Sequence, residues 1–199
     1  MRLMNPLPLA AVFLSACAAI SAFAQAPPAA RGSTAFSPLA VGVGFNSFNA
    51  GWNDGYMMGA ALWIDYTPDY LPSPLKGLGL EVEARDISIN SKANQREDIA
   101  SGGVIYSVSR FNKIHPYGKF LMGIGSEDYG LFSDTHLHKD LTVTSVGGGA
   151  DYRLFRQVWA RGDFEYQFWP DFFKYAPARH KSPGTLSPYG FTIGAMYHF

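Results

Sequence analysis

Two histidines stand out first. The stretch Glu127–Asp140 holds His136 and His138, with Asp134 and Asp140 beside them. In an extended chain residues two apart point the same way, so two imidazoles and a carboxylate could ligate zinc or copper. The set falls short of a complete ligand spacing, and an exposed polar loop has the same composition, so no metal site is assigned. His180 and Ser182 also stand two apart, a spacing that suits a base beside a nucleophile. They lie in a Pro-rich basic loop rather than on a strand, and no catalytic residue is assigned. Gly147-Gly148-Gly149 lacks the Lys-Ser/Thr of a phosphate loop and fits strand packing better. The most suggestive set is Phe172, Phe173, Lys174 and Tyr175, followed by Arg179, His180 and Lys181. Aromatics beside cations suit contact with phosphates, glycans or an acidic partner. A merely solvated loop is the plainer reading, since exposed aromatics are informative only when contiguous.

Composition limits what these residues can be doing. The chain has 199 residues, with 16 Lys+Arg against 16 Asp+Glu. That balance excludes an electrostatic nucleic-acid binder. Hydrophobic residues make up 47% and charged residues 16%, which excludes a disordered chain. One cysteine allows neither an intramolecular disulfide nor a Cys-based zinc site. No cofactor motif is present, and the length suggests one domain.

The N-terminus reads as an export signal. Arg2 supplies a positive start, Leu7 to Ala24 is apolar and uncharged, and Ala22-Phe23-Ala24 is an A-x-A cleavage pattern. Residues 1–24 are therefore expected to be a cleaved signal peptide rather than a membrane anchor, whose spanning length the segment barely reaches. Leu14-Ser15-Ala16-Cys17 resembles a lipobox, but apolar residues continue past Cys17. Residues 25–37, mostly Ala, Pro, Gly and Ser, read as a flexible periplasmic linker.

From Pro38 to Phe199 the pattern is that of strands. Alternation with turn signals between segments predicts about eight: Leu39–Phe48, Gly55–Tyr66, Gly77–Ile89, Ile99–Phe111, Pro116–Ser126, Leu141–Leu154, Val158–Trp169 and Ser187–Phe199. In the seventh, Trp159, Arg161, Asp163, Glu165 and Gln167 oppose Val158, Ala160, Gly162, Phe164 and Tyr166. Short connections at Asn112–His115 and Phe155–Gln157 fall on the side of the termini. Longer polar ones at Glu127–Asp140 and Pro170–Thr185 fall on the other. Short turns on one side and long loops on the other are the pattern of a membrane barrel.

Alternation alone does not say which face points outward. A soluble barrel buries its apolar face, and a membrane barrel turns it to lipid. The polar faces here hold a balanced charge set: Glu81, Glu83, Arg85, Lys119, Asp151, Arg153, Arg161, Asp163 and Glu165. Lys is scarce on the strands, whereas a soluble surface is rich in it. Tyr56, Tyr66, Tyr152, Tyr166, Phe168, Tyr189 and Tyr197 gather near strand ends, as interfacial girdles do. An eight-stranded barrel is just wide enough for its own side chains, so the charges are expected to form a salt-bridge core.

In these features the chain resembles the small eight-stranded outer-membrane barrels of the OmpA/OmpX type. Its end carries the resemblance furthest: Thr192, Gly194, Tyr197 and Phe199 match the fixed positions of the C-terminal signal of such proteins. The resemblance implies an all-β fold, a closed antiparallel transmembrane β-barrel of about eight strands in an up-and-down meander spanning residues 38–199. It implies a place in the outer membrane of a Gram-negative bacterium, recognition of the terminal signal by the barrel-assembly machinery, and contact with outer-membrane lipids and lipopolysaccharide. The expected role is non-enzymatic, structural or surface-binding through the outer loops, with an extracellular partner conceivable. A narrow channel or carrier for small solutes is the alternative. Barrels of this size that modify lipid A make an enzyme the remaining one, resting on His180 and Ser182.

Overall fold

The computed structural model describes residues 38–49, 55–89, 96–108, 111–131, 135–170 and 186–199, with the side chains of 128–139 left aside. Among them, eight strands form one closed antiparallel barrel. They are β1 (Leu39–Asn49), β2 (Tyr56–Tyr66), β3 (Leu78–Ile89), β4 (Arg96–Ser107), β5 (Ile114–Leu131), β6 (Thr135–Arg153), β7 (Val158–Phe168) and β8 (Tyr189–His198). Each strand pairs with the next in sequence, and β8 returns to β1 from Ala40↔His198 to Asn49↔Tyr189. Closure satisfies every strand on both sides and leaves no edge to aggregate.

Five strands lie close to their predicted bounds, and three differ in an informative way. The segment Glu127–Asp140, expected as a loop, is mostly strand: β5 and β6 stay paired up to Leu131↔Thr135. β4 begins at Arg96 rather than Ile99 and ends at Ser107 rather than Phe111. A single irregularity interrupts the β2–β3 ladder, where Met58 pairs with Ile89 but Gly59 pairs with Ile87. Only glycine fits there, since a Cβ on Gly59 would lie 1.8 Å from the Asp86 carbonyl oxygen.

Burial follows the period-two alternation and fixes the polarity of the two faces. Odd-numbered residues of β2, β3 and β7 point inward, and the buried set is rich in Asp, Glu, Arg and Lys. The outward face carries exposed Val43, Leu80, Val82, Ile124 and Ile193, with Phe45 as much as 78% exposed. An apolar belt of this extent around a polar interior is the inverse of a water-soluble protein and suits a hydrocarbon surround. Aromatic residues mark both ends of the belt. Tyr66, Tyr152 and Tyr197 stand exposed at the end holding the termini, and Tyr56 and Phe168 at the opposite end.

The interior is layered. Near the termini, Trp63 packs with Ala61, Trp159 and Met196. Toward the other end, Phe48, Met57 and Ile87 form one apolar cluster, and Ile99, Val143, Trp169 and Leu186 another. Leu121 has the inward parity of Lys119 and is fully buried. Large inward rings need space across the lumen, and glycines supply it: Cβ atoms on Gly42 and Gly194 would lie 2.2 Å and 2.5 Å from the Trp63 ring.

Candidate functional site

Between these apolar layers lies the charged middle of the barrel. Three buried cations organise it. Lys119, on β5, points its ammonium at Glu81 (3.1 Å) and Glu83 (2.9 Å) on β3 and at Glu165 (3.2 Å) and Asp163 on β7. Arg161, on β7, bonds Asp151 through Nε at 2.8 Å and Nη2 at 3.0 Å, Glu81 at 2.9 Å and Asp65 at 2.7 Å. Arg85, on β3, takes both oxygens of Glu165 at 3.0 and 3.1 Å and also meets Glu83. Glu81, Glu83 and Glu165 each bridge two cations, so the three centres form one network.

Rings hold the guanidinium groups in place. Arg161 sits 4.6 Å from the Tyr117 ring centroid and 5.2 Å from that of Trp63, and Arg85 lies 4.3 Å from Phe48. The network continues toward the outer end as Gln167 donates to Glu165 (3.1 Å) and Trp169 donates to Gln167 (2.9 Å). Trp169 is itself fully buried and joined to Leu186 through the backbone. Charged bonds thus give way to an apolar lid without a gap in the chain of contacts.

Sequence alternation brings Glu81, Glu83, Arg85, Lys119, Asp151, Arg161, Asp163 and Glu165 to one side of the wall, and the structure places all eight in this cluster. Arg153 stands apart and corrects the expected set. As the last residue of β6 it is half-buried and donates to the carbonyl oxygen and Oδ1 of Asn112, both at 3.2 Å. Asp65, Glu97, Glu127 and Gln167 are buried inward residues that the expected set omitted. Parity with Trp63 and Ile99 is the signal that identifies Asp65 and Glu97. Glu97 and Glu127 are direct cross-strand partners.

The chemistry of this middle is closure. Glu83, Asp163 and Glu165 bring carboxylate oxygens within 4.8 Å of one another, close enough to hold a metal ion. The Lys119 ammonium already occupies the focus of that trio. At the end of the termini a cavity of about 430 Å³ opens, walled by His115, Trp159, Met196 and His198, with Asp65, Asp151 and Arg161 as its floor. The floor is the ion pair itself, so the cavity ends where the network begins.

The terminal signal residues occupy both faces of β8. Thr192 is buried and Gly194 faces Trp63, while Tyr197 is exposed and stacks edge-on with Phe199 at 5.2 Å. His136 and His138 have their backbone in β6, opposite Gly130 and Asp128; their side chains lie outside the described residues. So do Asp134, the loop candidates Phe172, Phe173, Lys174, Tyr175, Arg179, His180 and Lys181, and Ser182 and residues 1–37.

Comparison with curated protein sequences gives no match. Solved structures give several of the same shape. Neisserial surface protein A superposes with a TM-score of 0.57 at 11% identity, over 83% of this chain and 99% of that one. The outer membrane protein OprG from Pseudomonas aeruginosa does so with 0.56 at 14%, over 82% and 97%. Ail, the attachment invasion locus protein of Yersinia pestis, gives 0.51 at 11%, over 82% and 99%. At such identities the likeness establishes the fold. A family model, the outer membrane protein beta-barrel domain, matches residues 15–199. With its charge-filled lumen and its apolar outer belt, the chain belongs to the outer membrane protein beta-barrel domain family.

Proposed function

We propose that this outer-membrane barrel has a non-enzymatic, structural and surface-binding role, exercised at its outer end. The β5–β6 hairpin carries this reading. β4 leaves β5 at Arg96↔Asp128, and β7 leaves β6 at Thr144↔Phe168, yet β5 and β6 remain paired to Leu131↔Thr135. Residues 135–143 of β6 therefore run past the last β7 pair, about 30 Å of chain at strand rise. Past Arg96↔Asp128 only β5 and β6 stay paired among the described residues, so the tip of this hairpin is a two-stranded ribbon that outlasts both neighbours. Its His136, His138, Lys139 and Asp140 and the neighbouring connection with Phe172–Lys181 together offer the cation and aromatic chemistry that suits lipopolysaccharide phosphates or glycans. Ail, the attachment invasion locus protein of Yersinia pestis, is a barrel of the same shape.

A narrow channel is the second reading, and the 430 Å³ cavity at the end of the termini is the observation in its favour. The ion-paired floor weighs against it. Lipid A modification rests on His180 and Ser182 alone and has no further support.

The test is a pair of trimmed barrels, one with Asp128–Lys139 replaced by a two-residue Asn-Gly turn and one lacking Phe172–Lys181. Binding to immobilised lipopolysaccharide is measured for each after folding in detergent. Both should keep the mobility shift on boiling that marks a folded barrel, and at least one should lose binding. Undiminished binding by both overturns the surface-binding role.

A further inference from the structure

The β5–β6 ribbon brings together residues that the chain keeps apart. His136 and His138 alternate with Leu137 along β6, so they share one face, about 7 Å apart at strand rise. Across the ladder His138 pairs with Asp128 and His136 with Gly130. Asp128 is thus the direct partner of one histidine and the diagonal neighbour of the other. Direct partners stand about 5 Å apart at Cβ and diagonal ones about 7–8 Å, within reach of long side chains. Gly130, opposite His136, has no side chain to fill the space. The two imidazoles that lacked a third ligand in sequence gain one from the register.

Register also decides which carboxylate can serve. Asp140 shares the face of the histidines but lies four residues from His136, about 13 Å along an extended strand, too far to share one ion with it. The charge of this face suits a cation. On β5 the outward positions run from exposed Met122 and Ile124 to Ser126 and Asp128, so the face turns from apolar to polar. Asp128, Asp140, Asp98 and Asp86 lie along it, linked by the pairs Asp98↔Ser126, Ser126↔Asp140 and Asp86↔Asp98. Arg96 stands among them, opposite Asp128, and bonds Asp86 at 2.6 Å and Asp98 through Nε at 2.9 Å. Four carboxylates about one guanidinium make the face anionic. Lys139 is on the other face, where it pairs with the inward Glu127.

Two imidazoles and a carboxylate are a donor set for zinc, which takes such nitrogen and oxygen ligands and keeps a fourth position for water when the protein supplies three. We propose that Asp128, His136 and His138 bind a zinc ion on the outer ribbon of the barrel. The ribbon also belongs to the surface-binding reading, but zinc uptake needs no lipopolysaccharide, so each reading fails without the other.

The test separates this set from its neighbours in sequence. The barrel, without a histidine tag, is folded in detergent, stripped of metal and titrated with zinc against a chromophoric chelator. The native protein should take up one zinc ion per chain. His136→Asn, His138→Asn and Asp128→Asn should each weaken binding roughly ten-fold or more, since even outer-shell partners of a metal are worth about that much. Asp140→Asn, on the same face, and His180→Asn, outside the ribbon, should leave it unchanged. Every variant should keep the mobility shift on boiling that marks a folded barrel. No zinc uptake by the native protein, full affinity in any of the three ligand variants, or an equal loss in Asp140→Asn or His180→Asn overturns the proposal.

Discussion

Arg161 and Asp151 face each other across the β6–β7 ladder and join through two bonds, Nε to Oδ1 at 2.8 Å and Nη2 to Oδ2 at 3.0 Å. The same guanidinium reaches over the lumen to Glu81 and Asp65. A single side chain therefore ties together β7, β6, β3 and β2. Buried pairs add little net stability over an apolar replacement, but removing one partner strands the others. Among the described residues the interior holds eight buried carboxylates against three buried cations, so losing a cation is the more damaging change.

Arg161→Met should accordingly lower the unfolding free energy by about 3–5 kcal/mol, read by urea unfolding in lipid vesicles. Arg161→Lys keeps the charge but loses the planar fork, and should cost less. Adding Asp151→Asn to Arg161→Met should recover part of the loss, since one stranded carboxylate is neutralised. A loss no larger than the roughly 1 kcal/mol of an exposed pair would mean that these carboxylates are solvated and the lumen is wet.

The fit between Gly42 and Trp63 predicts a coupled pair. The nearest atoms to a Cβ on Gly42 all belong to the Trp63 ring, at 2.2–2.4 Å. Gly42→Ala should cost about 1–3 kcal/mol through overpacking. Trp63→Ala should cost about 3–5 kcal/mol through the void it leaves. The double variant should cost less than the sum, because the added methyl then enters free space. Additive losses would place the ring elsewhere.

Depth along the outer wall predicts unequal responses to charge. Phe45 stands mid-strand on the outward face of β1, and Tyr66 stands at the end of β2. Phe45→Arg should cost about 2–4 kcal/mol and Tyr66→Arg at most about 1 kcal/mol, since the penalty falls from midplane to interface. Vesicle unfolding measures both. Equal costs would contradict the assignment of Phe45 to the middle of the hydrocarbon.

Much of this architecture is legible in the sequence because strands in a barrel wall separate polar from apolar faces strictly. Glu81, Glu83 and Arg85 alternate with Leu80, Val82 and Ala84, which marks a half-buried strand, and the balanced charges with few lysines on the polar faces point those faces inward. The outer part of the β5–β6 hairpin was not legible for the same reason. Beyond the membrane neither face need be apolar, so Glu127–Asp140 loses its alternation and resembles a loop. The same effect hides the start of β4 at Arg96-Glu97-Asp98. Interior residues that are apolar were hidden differently: Leu121, Val143 and Trp63 look like lipid-facing residues until parity is counted from a charged neighbour. Asp65 sits in an otherwise apolar strand and gives no local sign that Arg161 will reach it across the lumen.

The role proposed for the outer end requires that the ion-paired lumen be closed, and planar-bilayer recording tests that closure most directly. The purified, folded native protein should insert without discrete conductance steps, because the cavity walled by Trp159 ends at the floor formed by Arg161, Asp65 and Asp151. Steady, ohmic openings of the native barrel, with an ion selectivity that changes in Arg161→Ala, would contradict the closed lumen and make the barrel a channel.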